Sequence, residues 1–146
     1  MRGSCVSETP TGAVQGAPRR LLRWEGACLL LAMVVAYHQL TLLPDAPSWW
    51  LFAGLLLVPD LSMLGYLAGP GIGALLYNAA HTTPGPIALG LLGVAMGHPL
   101  ALALALAVIW LAHIGLDRAL GYGLKYPGAF GDTHLGRLSP GKRATP

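Results

Sequence analysis

His113 and Asp117 stand four residues apart in LAHIGLDRALGYGLKYP (Leu111–Pro127), a spacing that stacks an imidazole and a carboxylate on one helical face. Tyr77 and His81 repeat that spacing in YNAAH, with Asn78 three residues before the histidine, and Asp60 follows Pro59. Two carboxylates and two imidazoles are a suitable ligand set for a divalent ion such as Zn, Mn or Fe, whose charge would offset the cost of burying the acids. Such an ion makes a nucleophile of bound water at neutral pH, while Arg118 or Lys125 at the membrane surface could hold a phosphate or carboxylate. Tyr122 or Tyr66 could donate to a developing oxyanion, although tyrosine near an interface also serves as an anchor. The expectation is metal-assisted hydrolysis of a lipid-linked or phosphorylated substrate, with Asp60, His81, His113 and Asp117 as ligands and Arg118, Tyr122 and Lys125 as catalytic groups.

Other readings of the same residues stand beside this one. Asp60 could pair with Arg118 across helices, and His81 could bond a carbonyl freed by Pro84, making a noncatalytic scaffold whose buried polar groups specify packing or self-association into a homo-oligomer. A small proton-coupled permease subunit using His81 near a broken helix is a third reading. Asp132 and His134 in GDTHLG either fold back to join or cap the site or form an ordinary turn. His38 and His98 read as interfacial polar residues, and GPGIG (Gly69–Gly73) as a tight turn lacking the Lys-Ser/Thr ending of a phosphate loop. Cys5 and Cys28 have no metal-ligand spacing and imply no disulfide framework.

The elements that must position these groups follow from composition. Only 10% of the 146 residues are charged, and from Leu61 to Leu116 there is no Asp, Glu, Lys or Arg, a stretch no water-exposed surface could be built from. The chain reads as an all-α polytopic membrane protein, a four-helix transmembrane bundle. Spans are expected from about Arg23 to Leu43, from Ser48 to Gly69, from Gly71 to Gly97, and from Pro99 onward through LALALALAVIWLA. The Leu/Ala alternation of the last has a strand's period, but an unpaired strand in lipid would leave its backbone unsatisfied, so it is read as helix. Gly71–Gly97 would run roughly 40 Å as one helix, too long for a ~30 Å core, and Pro84 and Pro86 predict a kink or break there.

Arg2, Arg19, Arg20 and Arg23 precede the first apolar run, and Arg118, Lys125, Arg137, Lys142 and Arg143 end or follow the last. The positive-inside rule then puts both termini in the cytoplasm, with residues 1–20 a disordered tail, 21–127 the transmembrane domain and 128–146 a C-terminal loop and tail. The partners implied are membrane lipids and not nucleic acid, since no basic patch is interleaved with exposed aromatics. At a rise of ~1.5 Å per residue, Asp60, His81 and His113 lie about 10, 15 and 12 Å from the cytoplasmic ends of their spans, all in one leaflet. Ionisable groups at that depth mark a functional site by default.

PDLSMLGYLAGP (Pro59–Pro70), YNAAHT (Tyr77–Thr82) and WLAHIGLDRALGYGLKYPGAFGDTHLG (Trp110–Gly136) together resemble the small bacterial membrane proteins grouped as domain of unknown function 4260. The resemblance covers about Arg23 to Gly136 and implies an integral membrane location, here the bacterial inner membrane, with no established activity. The order of Pro-Asp, an Asn/His-Thr element and His-x-x-x-Asp is also similar to the membrane-bound metal-dependent hydrolases once described as LexA-binding. That likeness carries over to Asp60, His81, His113 and Asp117, with Asn78 standing where that group has a histidine.

Overall fold

The computed structural model describes residues 12–44, 46–96, 100–128 and 130–137. Met1–Thr11 with Arg2 and Cys5, the His98 turn, and the tail from Leu138 with Lys142 and Arg143 lie outside the described residues. The elements in order are α1 (Gly16–Leu40), α2 (Trp49–Leu55), a 3₁₀ helix (Val58–Ala68), α3 (Pro70–Ala80), α4 (Pro84–Met96), α5 (Leu100–Leu120), and a two-stranded hairpin, β1 (Asp132–Thr133) with β2 (Gly136–Arg137). Among the described residues the protein is all-α apart from that hairpin. Among the described residues three stretches, Gly16–Leu40, Trp49–Ala68 and Leu102–Leu120, are long and apolar enough to cross a bilayer, which makes this a membrane protein.

Pro59, Pro70 and Pro84 each stand at the start of a new helical element. Pro59 cannot donate to Leu55, and α2 gives way there to eleven residues of 3₁₀ helix. At about 1.5 Å per α-helical and 2.0 Å per 3₁₀ residue, α2 and the 3₁₀ helix together reach roughly 30 Å, one hydrocarbon thickness. Pro84 starts a new helix after α3 stops at Ala80, so the expected disruption of the third segment is a full break, leaving helices of 11 and 13 residues. Only by pairing end to end do these two reach span length.

Helix α5 is the hub, packing on α1, α2 and α4, while the 3₁₀ helix packs on α3. Its core is built of Ala105, Ile109 and Ala112 against Tyr37 and Phe52. Small residues let backbones meet: a Cβ on Gly115 would lie 2.7 Å from the Leu30 amide nitrogen and 2.9 Å from the Gly26 carbonyl oxygen. At one end of the molecule Tyr37, Trp49 and Phe52 cluster, with Trp50 86% exposed, and at the other Trp24 is 70% exposed beside Arg20 and Arg23. Such pairs of aromatic girdles mark the two interfaces of a bilayer.

The start of α1 differs from expectation. It begins at Gly16, and the Val14 amide donates to the His134 carbonyl at 2.8 Å, so the chain is organised from before Pro18. Two turns on, Arg23 Nε donates to the Ala119 carbonyl at the end of α5, one of the carbonyls a helix terminus leaves unpaired. The apolar helix likewise ends at Leu40, before Leu43.

Candidate metal centre

Four side chains from three parts of the chain converge. Asp60 occupies the first turn of the 3₁₀ helix, His81 the C-cap of α3, and His113 and Asp117 one face of α5. The break at Pro84 is what makes room for His81. Pro84 has no N–H for the Ala80 carbonyl, and the Trp110 indole Nε1 donates to that carbonyl instead, at 2.6 Å. A carbonyl freed by Pro84 is thus capped by a tryptophan from α5 and not by His81, whose own amide caps onto the Tyr77 and Asn78 carbonyls. Trp110→Phe is expected to leave the Ala80 carbonyl unpaired and to lower stability by about 1–3 kcal/mol, read as a drop in thermal midpoint in detergent; an unchanged midpoint counts against this cap.

His81 Nε2 lies 3.0 Å from His113 Nε2 and 3.4 Å from both Asp60 Oδ1 and Asp117 Oδ2. His113 Nε2 is 3.7 Å from Asp60 Oδ1 and 3.9 Å from Asp117 Oδ2, and one ligand atom from each of the four falls within 4.8 Å of every other. A tetrahedral ion with bonds near 2.1 Å separates its ligand atoms by about 3.4 Å, which these distances bracket. The supports are also those of a ligand set. His81 Nδ1 donates to the Tyr77 carbonyl at 2.7 Å, leaving the Nε2 lone pair facing inward, and the Tyr77 hydroxyl donates to Asp117 Oδ2 at 2.8 Å. The Tyr77 and His81 rings stack at 3.7 Å, fixing the imidazole plane.

Burial is uneven and gives the centre a direction. His113 and His81 are 0% and 4% exposed, Asp117 is 13% and Asp60 31% exposed by side chain. Access is therefore from the Asp60 side. His113 Nδ1 is buried with no hydrogen-bond partner among the described residues. No ion pair joins Asp60 to Arg118 among the described residues; its partners are the two histidines.

Below the cluster the chain after α5 folds back as a cap. Gly121, at φ 95°, ends the helix in a Schellman turn, with the Gly121 amide on the Arg118 carbonyl and the Tyr122 amide on the Asp117 carbonyl. Asn78 then grips Lys125 by its backbone, Oδ1 accepting from the amide at 2.7 Å and Nδ2 donating to the carbonyl at 2.9 Å. The residue in the place of an expected histidine is thus a clamp. Thr133 bridges to Lys125, Asp132 pairs with Arg137 at 2.7 Å, and His134 Nδ1 accepts from the Leu124 amide at 2.8 Å. GDTHLG forms an ordered cap, and neither Asp132 nor His134 joins the four ligand atoms.

Arg118, Tyr122 and His134 line a small cavity with Tyr77, His81 and Asp117, with about 10 Å³ of room, enough for one water. Lys125, expected at the membrane surface, is buried: its ammonium donates to the Phe130 carbonyl and lies 3.5 and 4.6 Å from the Phe130 and Tyr77 ring centroids. Burial pushes its pKa down, against the pull of Asp117 and Asp60. The Tyr66 ring packs on Phe130, away from the cavity. His38 is exposed at the last turn of α1, outside the cluster.

Burial, with the Arg118 charge pushing the same way, holds the His134 imidazole below the ordinary histidine range, and its hydrogen bond to Leu124 needs an unprotonated Nδ1. A depressed folded value means a contribution fully present above about 6.5 and lost as pH falls through the folded pKa. Proteolytic nicking between Tyr122 and Gly136 is expected to quicken below that pH in the wild type; a His134→Gln variant whose nicking shows the same pH dependence counts against this switch.

Residues 19–138 match the family described as Domain of unknown function (DUF4260). The chain belongs to that family. The matched region holds all four cluster residues, the Asn78 clamp and the whole hairpin, so the centre and its cap are parts of the DUF4260 domain. No curated protein and no solved structure matches the chain.

Proposed function

We propose that this DUF4260 protein holds one divalent ion between Asp60, His81, His113 and Asp117 and uses it to hydrolyse a lipid-linked or phosphorylated substrate. The observation that carries the reading is the convergence of two imidazole Nε2 atoms and two carboxylate oxygens to within 4.8 Å of one another, with the His81 lone pair aimed inward by the Tyr77 carbonyl. An ion held among them would offset the mutual repulsion of two nitrogen lone pairs 3.0 Å apart and two carboxylates. The mixed nitrogen and oxygen donors suit Zn, Mn or Fe.

When bound, such an ion supplies a Lewis acid and activates water at neutral pH. The chain's own groups do the rest. Arg118, beside the cavity, binds an anionic group, and the cavity takes one water. The hydroxyl of that water goes to the electrophilic phosphorus or carbonyl carbon, the bond to the leaving oxygen breaks, and the leaving oxygen takes the remaining proton. Tyr122, which lines the cavity, is the group placed to move a proton there. Arg19, Arg20, Arg23 and Arg118, gathered at one end of α1 and α5, support a reading in which this end faces the cytoplasm at the bacterial inner membrane, by the positive-inside rule.

A second reading rests on the same 3.0 Å contact, an N–H···N hydrogen bond between the imidazoles that clamps α3 to α5 without metal. Metal analysis separates them. Protein purified in detergent is expected to carry about one Zn, Mn or Fe per chain; protein that stays metal-free after equilibration with each of these ions overturns the metal reading and leaves the clamp.

A further inference from the structure

An apolar groove of about 290 Å³ adjoins the centre, walled by Val58 and Pro59 on one side, Leu89 on another, and Leu106, Ile109 and Trp110 of α5. Pro59 is bonded to Asp60, and Trp110 lies one turn before His113. The groove approaches the cluster from a single side on every element. Along α5 its residues precede His113 while Arg118 follows it; along α2 and the 3₁₀ helix they precede Asp60; along α4, which runs the other way, Leu89 comes after His81. That side points toward Trp49 and Trp50, into the hydrocarbon, and away from the arginine end.

We infer that this groove seats one acyl chain of an anionic lipid whose head lies toward Arg118, so that the linkage between head and tail sits at the cluster. This rests on the metal reading and names its substrate class: an acylated, negatively charged amphiphile. Size decides the occupant. From Leu106 to His113 is roughly 10 Å of apolar wall, and a helix about 10 Å in diameter would need several hundred Å³ more over that length, so a second protein copy does not fit while a single hydrocarbon chain does. Polarity decides the orientation, since the wall is apolar throughout and the arginines stand only beyond the cluster. Asp60, 31% exposed and next in the chain after the groove residue Pro59, is the way in for the scissile group.

The test uses Trp110 as a reporter. In a Trp24→Phe/Trp49→Phe/Trp50→Phe background, detergent-solubilised full-length protein is titrated with phosphatidylglycerol carrying a dibrominated acyl chain. Trp110 emission is expected to fall saturably at about one lipid per chain. Val58→Phe, placed on the half-exposed rim, and Leu89→Phe, entering from α4, are each expected to abolish that saturable phase while metal content stays at the wild-type value. Arg118→Gln is expected to remove the preference for phosphatidylglycerol over the phosphatidylcholine analogue. Quenching that rises linearly without saturation, or that both phenylalanine variants leave intact, overturns the groove with the metal reading untouched. A metal-free wild type sinks the metal reading whatever the lipid does.

Discussion

His113→Ala is expected to bring the metal content of the purified protein from about one ion per chain to background, with affinity reduced well beyond a hundredfold. The reasoning is graded. His113 is fully buried and its Nε2 sits within 3.9 Å of all three other ligand atoms, so its removal takes away one of four donors and leaves no water-accessible substitute. Tyr77→Phe removes only the hydroxyl that donates to Asp117 Oδ2, and losing such a supporting partner costs metal affinity about 10- to 100-fold. Because the alanine also opens a cavity, His113→Gln serves as the volume-keeping companion. If both His113 variants retain full metal content, the ligand assignment fails; if Tyr77→Phe binds as tightly as wild type, its support of Asp117 does.

Gly115→Leu is expected to break the crossing of α1 and α5, lowering stability by more than about 3 kcal/mol, the upper range for overpacking. A Cβ at this position meets the Leu30 nitrogen at 2.7 Å and the Gly26 oxygen at 2.9 Å, both backbone atoms that no rotamer change can move aside. The helices must separate, and His113 and Asp117, which flank Gly115 on α5, lose register with the other two ligands. Thermal denaturation in detergent and metal content should therefore fall together. Gly54→Ala on α2, where an added Cβ meets nothing within 4 Å, is the neutral control. Equal midpoints for the two variants would show that close approach at Gly115 contributes nothing.

The clustering of Asp60, His81, His113 and Asp117 was legible because polar residues are scarce and expensive in an apolar chain. His113 and Asp117 at four-residue spacing, His81 just before a proline, and Asp60 alone in its span each stand out on burial cost, and depth along the helices puts them at one height. The Pro84 break was legible for the same reason, a missing donor. What remained hidden depends on pairings between distant segments. Nothing local says that Asn78 grips the Lys125 backbone, that Trp110 supplies the donor Pro84 lacks, or that Lys125 turns inward among aromatic rings. The 3₁₀ stretch has an ordinary apolar composition, and only Pro59 at its start hints at it. The hairpin at Asp132–Arg137 offered a weak signal in Gly136, which takes φ 108°.

The order of the ligands along the chain carries a consequence for biogenesis. Asp60 and His81 emerge from the ribosome first, but half of the clustered acid and imidazole groups arrive with α5, and the closing grip on Lys125 comes after it. On the proposed metal reading no earlier intermediate offers four donors, so loading would wait until translation and insertion of the last helix are done. A nascent chain halted before Leu100 carries an unshielded acid and an imidazole in lipid, a natural mark for quality-control proteolysis of unfinished copies.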